Sequence, residues 1–356
     1  MTRIEQVARA LPQDIHAAIV TGQFDRRYLT GVNSSAGVLI ITRSTSSLII
    51  DSRYHELAAS TAQGCEVVLQ DDQGLYKQIA GLLKKSGAEA VALESKTCNL
   101  KERNAYRKNF DGVTLIEDDR LGDIISRLRA RKSSGEIENI RAAQNATDKA
   151  FEYILGFVKP GQSERKIAIE LEVYGRKMGF DAAFSFIIAA GPTSSMPHAV
   201  PGDRKVQNGD ILLFDFGFKA GGYCSDMTRT VAIGQASEQQ LEVYDIVLRA
   251  QLAGIEKIKP GAIGKDVDAA AREIIDASPY KGLFGHGLGH ALGLEIHEPP
   301  RLAPLWDDVL EPGMVLTVEP GIYLPGQFGV RIEDLIVVTE DGYENLTSSP
   351  KELIVL

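Results

Sequence analysis

Along the first third of the chain, short apolar runs alternate with stretches of helical period, the pattern of alternating strands and helices. Ala17–Val20, Glu66–Leu69, Ala90–Leu93 and Val113–Ile116 read as strands. Ala36–Ile41 and Ser47–Ile50 are β-rich runs on either side of Thr42–Ser46, which predicts a hairpin. Helices are expected near Tyr54–Thr61, Leu75–Lys84 and Leu100–Phe110. A charge-dense helix and linker, Asp118–Ser134, follows and places a boundary between domains 1–125 and 126–356.

The second part contains an internal echo. Long amphipathic helices at Gly135–Phe157 and Ser237–Lys257 each run into a Lys-Pro-Gly stop, at 159–161 and 259–261. Each stop precedes another helix, Glu164–Lys177 or Lys265–Asp276, and then strands. The pattern predicts a duplicated α-α-β-β half with pseudo-two-fold symmetry. In the first half, the apolar strand Ile211–Gly217 is interrupted by Asp215, and Cys224–Ala232 returns after the turn residues Ala220, Gly221 and Gly222. A turn centred between Ala220 and Gly221 sets Asp215 directly opposite Asp226. In the second half, Val315–Glu319 and Val330–Glu333 flank Pro325-Gly326-Gln327, so Glu319 and Glu333 are symmetric about Gly326.

Composition narrows the class. A chain of 356 residues exceeds the usual single hydrophobic core and calls for two domains. Its 44% hydrophobic and 24% charged content is that of a globular protein. The run lengths predict no membrane span, and the charged N-terminal stretch lacks the apolar region of a secretory signal, so a cytoplasmic location is expected. A net charge of −9 argues against sequence-independent nucleic-acid binding. Cys65, Cys98 and Cys224 form no CxxC pair. Cys224 lies close to Asp226 and reads either as a nucleophile or as a small buried side chain on a strand.

Four of the six histidines, His198, His286, His290 and His297, fall in the second part and draw the chemistry there. An aspartate within an apolar strand is costly unless it is paired or binds a metal. Two opposed pairs of acids repel unless a cation or shared proton compensates, so four acids beside a histidine cluster favour a dinuclear metal site over a set of salt bridges. The glycine-rich run Phe284–Gly293 lets backbone approach a metal or substrate closely, but the chain holds no HExxH helix and no GxxxxGK[ST] loop.

Taken in order, Phe214-Asp215-Phe216-Gly217, Asp226-Met227-Thr228-Arg229-Thr230, Gly289–Glu298, Thr317-Val318-Glu319-Pro320-Gly321 and Arg331-Ile332-Glu333-Asp334 resemble the motifs of the proline-specific "pita-bread" metallopeptidases, aminopeptidase P and prolidase. The resemblance implies an α+β fold: a catalytic pita-bread domain with internal pseudo-two-fold symmetry, preceded by a smaller α/β creatinase-type N-terminal domain. It implies that Asp215 chelates one metal ion, that Asp226 and Glu333 bridge two, and that His290 and Glu319 complete the second site. His198 and His297 match residues that contact substrate and stabilise the tetrahedral intermediate, with Tyr323 and Arg331 as supporting substrate-binding residues. Arg301 matches an arginine that binds the free carboxylate of a dipeptide, and reads equally as half of a structural ion pair. His286 is expected to pack or hydrogen-bond beside the site. One departure is Ala291, where relatives carry glycine; its methyl is expected to narrow the pocket.

The implied activity is hydrolysis of the Xaa-Pro bond at the N-terminus of peptides or in dipeptides, by a metal-bridging hydroxide, with Glu319 shuttling the proton to the proline nitrogen. One imidazole and four carboxylates suit two Mn²⁺ ions, with Co²⁺ or Zn²⁺ as other occupants. The expected partners are short proline-containing peptides and a second copy in a homodimer, with neither nucleic acid nor membrane. Two competing readings are a non-catalytic binding module of this fold and another of its enzymes, such as creatinase. Both are disfavoured because the ligand set is complete.

Overall fold

The computed structural model describes residues 1–356, which divide into two units, Met1–Arg129 and Ala130–Leu356. The first unit is built on six strands: β1 (Ala17–Val20), β2 (Val38–Thr42), β3 (Ser46–Ile50), β4 (Glu66–Leu69), β5 (Ala90–Leu93) and β6 (Thr114–Ile116). They form one sheet in the order β4-β3-β2-β1-β5-β6, antiparallel from β1 to β3 and parallel elsewhere. Six helices accompany it: α1 (Arg3–Ala10), α2 (Gln23–Thr30), α3 (Ser52–Thr61), α4 (Leu75–Ser86), α5 (Leu100–Asn109) and α6 (Arg120–Ala130).

Two features depart from the expectation. Helices α1 and α2 were not legible from apolar periodicity, although Thr2 and Glu5 form a capping box at the start of α1. The expected boundary at 125/126 cuts through α6. That helix buries Leu121 and Ile125, and Arg129 pairs with Asp25 at 2.7 Å. The charge-dense run is therefore the solvent face of a helix that belongs to the first unit, not a linker.

Just after β5, the buried carboxylate of Glu94 accepts the Gly22 N–H at 2.7 Å, the Thr97 hydroxyl at 2.9 Å and the Thr21 N–H. Its other oxygen has no partner. Burial first, and the neighbouring Asp25 carboxylate second, push the Glu94 carboxyl up to about 7 from 4.5. A folded-state pKa raised in this way gives stability that is complete below pH 4.5 and is lost as the pH rises through about 7. Glu94→Gln should remove that loss. The gap in melting temperature between variant and wild type is expected to widen in the variant's favour from about pH 5 to about pH 8, and a constant gap would contradict the assignment.

The second unit opens with α7 (Ser134–Phe157) and α8 (Glu164–Lys177), followed by β7 (Asp181–Ala182), β8 (Ile187–Ala190), β9 (Ile211–Phe216), β10 (Phe218–Ala220), β11 (Tyr223–Cys224) and β12 (Met227–Ala232). The series then restarts with α9 (Glu238–Glu256) and α10 (Gly264–Asp276). These lead to β13 (Gly289–Ala291), β14 (Glu298–Leu302), β15 (Val315–Val318), β16 (Gly321–Leu324), β17 (Phe328–Arg331), β18 (Asp334–Val338), β19 (Tyr343–Asn345) and β20 (Ile354–Val355). The two main sheets run β20-β12-β9-β8 and β14-β13-β15-β18-β19.

Each half has its own core. Phe151, Ile154, Ile167 and Leu171 from α7 and α8 pack on Leu212, Phe214 and Phe216 of β9. Val243, Val247, Val267 and Ala271 from α9 and α10 pack with Leu316, Val318 and Ile336. Each such fully buried large side chain contributes about 1.5–3 kcal/mol. No helix is long and apolar enough to cross a membrane.

The two hairpins differ in how well spacing predicted their register. Around Gly326, Leu324 pairs with Phe328, Gly321 with Arg331 and Val318 with Asp334, so Glu319 and Glu333 are symmetric as the spacing predicts. In the first half, Asp215 pairs with Thr228 and not with Asp226. The turn sits at Gly221-Gly222, since Ala220 pairs with Tyr223. Both glycines have positive φ, 57° and 89°, which a two-residue turn of this hand requires at both central positions. Moving the turn centre by one residue shifts the pairing by two. Strand parity is thus unchanged, and Asp226 remains on the face shared by Thr228 and Asp215.

Candidate metal centre

Five elements of the second unit deliver the site. Asp215 comes from β9, Asp226 from just before β12, His290 from β13, Glu319 from just after β15, and Glu333 from between β17 and β18. All five line one cavity of about 410 Å³, together with His198, His286, His297, Arg301, Trp306 and Arg331. Within it, Asp226, His290 and Glu333 are buried and offer ligand atoms lying within 4.8 Å of one another.

The ring of His290 has its Nδ1 3.1 Å from the Ala291 carbonyl. Nδ1 therefore carries the hydrogen and Nε2 presents a lone pair. That lone pair faces Asp226 Oδ2 at 3.7 Å and Glu319 Oε1 at 3.5 Å. Asp226 Oδ1 and Glu333 Oε1 are buried with no hydrogen-bond partner. Lone pairs that converge in this way fit a divalent cation.

The electrostatics agree. Burial, and then the charges of Glu333, Asp215 and Glu319, hold the Asp226 carboxyl well above its ordinary range. Burial, Glu319 and Asp215 do the same to Glu333. Glu319 is pushed up to about 8, chiefly by burial. Burial and the neighbouring His297 press the His290 imidazole down to about 3, so it is neutral and able to ligate. Without a cation this cluster favours protons on its acids; a bound cation reverses that preference.

A directed hydrogen-bond network fixes the carboxylates from behind. Arg331 donates through Nη2 to Asp215 Oδ2, through Nε to Thr228 Oγ1 at 3.0 Å, and through Nη1 to the Tyr323 hydroxyl at 2.8 Å. Because Thr228 accepts from Arg331, its one hydrogen goes to Glu333 Oε2, at 2.7 Å. His286 Nδ1 faces the Gly287 carbonyl at 2.8 Å, so its Nε2 accepts from the Tyr323 hydroxyl, also at 2.8 Å. The guanidinium is thus committed to the protein, and Tyr323 supports the site from outside the cavity lining.

One expectation is corrected, and one pair of alternatives is resolved. The Ala291 methyl is fully buried in the core of the second half and does not line the cavity, so it narrows nothing. Cys224 is buried with its thiol 3.9 Å from the Leu294 carbonyl and off the cavity wall, which leaves the structural reading. His286 both lines the cavity and bonds beside it. His297 is exposed, its ring centroid 4.5 Å from that of His290, and partial desolvation and the Arg301 charge hold its imidazole below the ordinary value.

Sequence reasoning missed three supporting groups. Thr228 shares strand parity with Asp226, a signal that was present. Asp268 and Arg272, an i,i+4 pair on α10, clamp the glycine-rich run: Asp268 accepts the Leu288 N–H at 2.9 Å, and Arg272 donates to the Phe284 and His286 carbonyls at 2.9 and 2.7 Å. Trp306, the one tryptophan, stands on the cavity wall.

Residues 138–340 match the profile of metallopeptidase family M24, and residues 3–131 that of the creatinase/prolidase N-terminal domain. The Xaa-Pro dipeptidase of Pyrococcus furiosus is 34% identical over 355 residues, covering 99% of each chain. Among solved structures, an Xaa-Pro dipeptidase from Bacillus anthracis superposes with a TM-score of 0.95 at 41% identity, covering 99% of both chains. An X-Pro aminopeptidase from Thermotoga maritima gives 0.89 at 35% identity, covering 96% of this chain and 98% of that one.

Proposed function

Because the chain belongs to metallopeptidase family M24, with a creatinase/prolidase N-terminal domain, we propose that it is an Xaa-Pro dipeptidase working with two divalent metal ions. The observation that carries this reading is a single cavity in which unpartnered carboxylate oxygens of Asp226 and Glu333, beside His290, share the wall with Arg301, a guanidinium that meets no carboxylate of the chain. A dipeptide ending in proline offers both complements, a scissile carbonyl and a free carboxylate.

Asp215, Asp226, His290, Glu319 and Glu333 would hold the ions, and a set so rich in oxygen suits Mn²⁺, with Co²⁺ and Zn²⁺ as competitors. When bound, the ion pair supplies an acidified water and a Lewis acid for the scissile carbonyl. His297 is assigned to the developing oxyanion and His198 to holding the substrate; both line the cavity. Glu319 carries the proton released by the attacking water to the proline nitrogen. That nitrogen is a tertiary amide without an N–H and leaves as a secondary amine once protonated. Arg331 keeps Asp215 in place, and Thr228 does the same for Glu333, so neither carboxylate reorients during turnover.

The test is a Mn²⁺-supplemented assay of Xaa-Pro, Xaa-Pro-amide and Xaa-Pro-Yaa substrates. The dipeptide should be strongly preferred. Arg301→Leu should lower kcat/KM for the dipeptide by about a hundredfold, as expected for leaving a substrate charge unpaired, and affect the amide far less. Efficient cleavage of longer peptides with none of the dipeptide would replace this reading with an aminopeptidase.

A further inference from the structure

Arg301 lies on β14, and its guanidinium reaches the cavity from an exposed strand position. Left alone, a long flexible side chain there samples many rotamers, few of which point at a substrate. One contact restricts it: the guanidinium carbon stands 5.9 Å over the centroid of the Trp306 ring. A planar cation on an indole face is attracted by the ring quadrupole and is shielded from water on that side.

The backbone that carries the indole is itself fixed. The Trp306 backbone N–H donates to the Ala303 carbonyl at 3.1 Å, closing a turn after β14. The Trp306 carbonyl accepts the Lys265 N–H at 2.9 Å, and the Asp308 carbonyl accepts the Gly264 N–H at 3.0 Å, so the loop is fastened to the start of α10. Lys265 Nζ and Asp307 add an ion pair at 2.5 Å. The approach is close enough that only glycine fits at position 264, where a Cβ would stand 2.6 Å from the Arg301 carbonyl. Loop, indole and arginine thus form one assembly: the loop is fastened to α10, and Arg301 of β14 pairs with His290 of β13.

We propose that Trp306 is a specificity-determining positioning residue: its ring holds the Arg301 guanidinium over the cavity, so that the enzyme selects substrates whose proline bears a free carboxylate. The inference rests on the dipeptidase reading of Arg301 and deepens it. The substrate class it selects is the unblocked Xaa-Pro dipeptide, against Xaa-Pro amides and longer peptides.

The experiment compares wild type, Trp306→Leu, Trp306→Phe and Arg301→Leu, loaded with Mn²⁺, on Xaa-Pro and Xaa-Pro-amide. Loss of the aromatic face should raise KM for the dipeptide about tenfold, with kcat within about twofold, so that the preference for dipeptide over amide falls about tenfold; Trp306→Phe should keep most of it. Because the chain has one tryptophan, its emission is a second readout. Titration with L-proline should shift the emission in wild type, titration with prolinamide should not, and Arg301→Leu should abolish the proline response. If Arg301→Leu loses the preference but Trp306→Leu keeps it, or if Trp306→Leu weakens both substrates equally, this inference is overturned and the dipeptidase reading stands. If Arg301→Leu itself keeps the preference, the dipeptidase reading fails first, and this one with it.

Discussion

Replacing Glu333 by glutamine should empty the centre without unfolding the protein. The side chains have the same shape, so packing around this buried position is kept. What changes is the supply of lone pairs. Glu333 Oε1 has no partner in the protein, and Oε2 already receives the one hydrogen that Thr228 has to give. An amide nitrogen in place of either oxygen points hydrogens at a cation or at a donor. Metal content per chain should fall by at least one ion, and kcat/KM for Xaa-Pro on the order of a thousandfold, the equivalent of several kcal/mol of transition-state stabilisation. A control separates this from misfolding. Because burial and neighbouring acids hold the Glu333 carboxyl well above its ordinary range, the neutral amide relieves the metal-free protein. The metal-free variant should therefore melt no lower than metal-free wild type at neutral pH. Full turnover by Glu333→Gln after chelation would sink the metal proposal.

The second large effect falls on stability. Arg229 is almost wholly buried, and its guanidinium donates to the carbonyls of Thr228, Glu333, Ser349 and Pro350 and to Asp334 Oδ1, at 2.5–2.9 Å. Asp334 also takes Lys351 at 2.7 Å and Asn345 at 2.9 Å, and burial, opposed by the Arg229 and Lys351 charges, leaves its carboxyl below the ordinary range. Arg229→Met keeps the volume but strands several buried acceptors at once. Breaking a buried pair of this kind costs about 3–5 kcal/mol, which for a unit of this size lowers Tm by roughly 10 °C. Arg229→Lys should recover only part of the loss, since an ammonium has three donors and no planar fork. A melting curve of Arg229→Met within a degree or two of wild type would show that the network contributes little.

Much of the site could be read from the chain because strand parity and ligand order survive small errors of register. Glu319 and Glu333 sit in a hairpin whose turn is marked by Pro325 and Gly326, and their symmetry follows from that mark alone. Asp215 and Asp226 lie around three small turn residues, any two of which can form the turn; Gly221 and Gly222 win because both central positions need positive φ. The family motifs supplied the ligand types. Spacing could not show which side of a residue faces the cavity. Ala291 follows the candidate ligand His290 directly, yet alternation along β13 turns it into the core. Trp306 and Arg301 meet through an irregular loop fastened to a helix far away in sequence, a contact that no local period encodes. Helix α2, a charged eight-residue segment, has too short an apolar stripe to announce itself.

The sheet that carries Asp215 ends in β20, where Ile354 and Val355 run parallel to Val231 and Ala232 of β12. The Leu356 N–H also donates to the Ala232 carbonyl, and its own carbonyl accepts from Gly234. These few residues occupy backbone groups that would otherwise form an open sheet edge directly behind the strand adjoining Asp226. An unpaired edge on a buried strand is a template for another chain. Disrupting β20 would thus endanger solubility before chemistry, leaving the candidate ligands in place while β12 becomes newly able to pair with another chain.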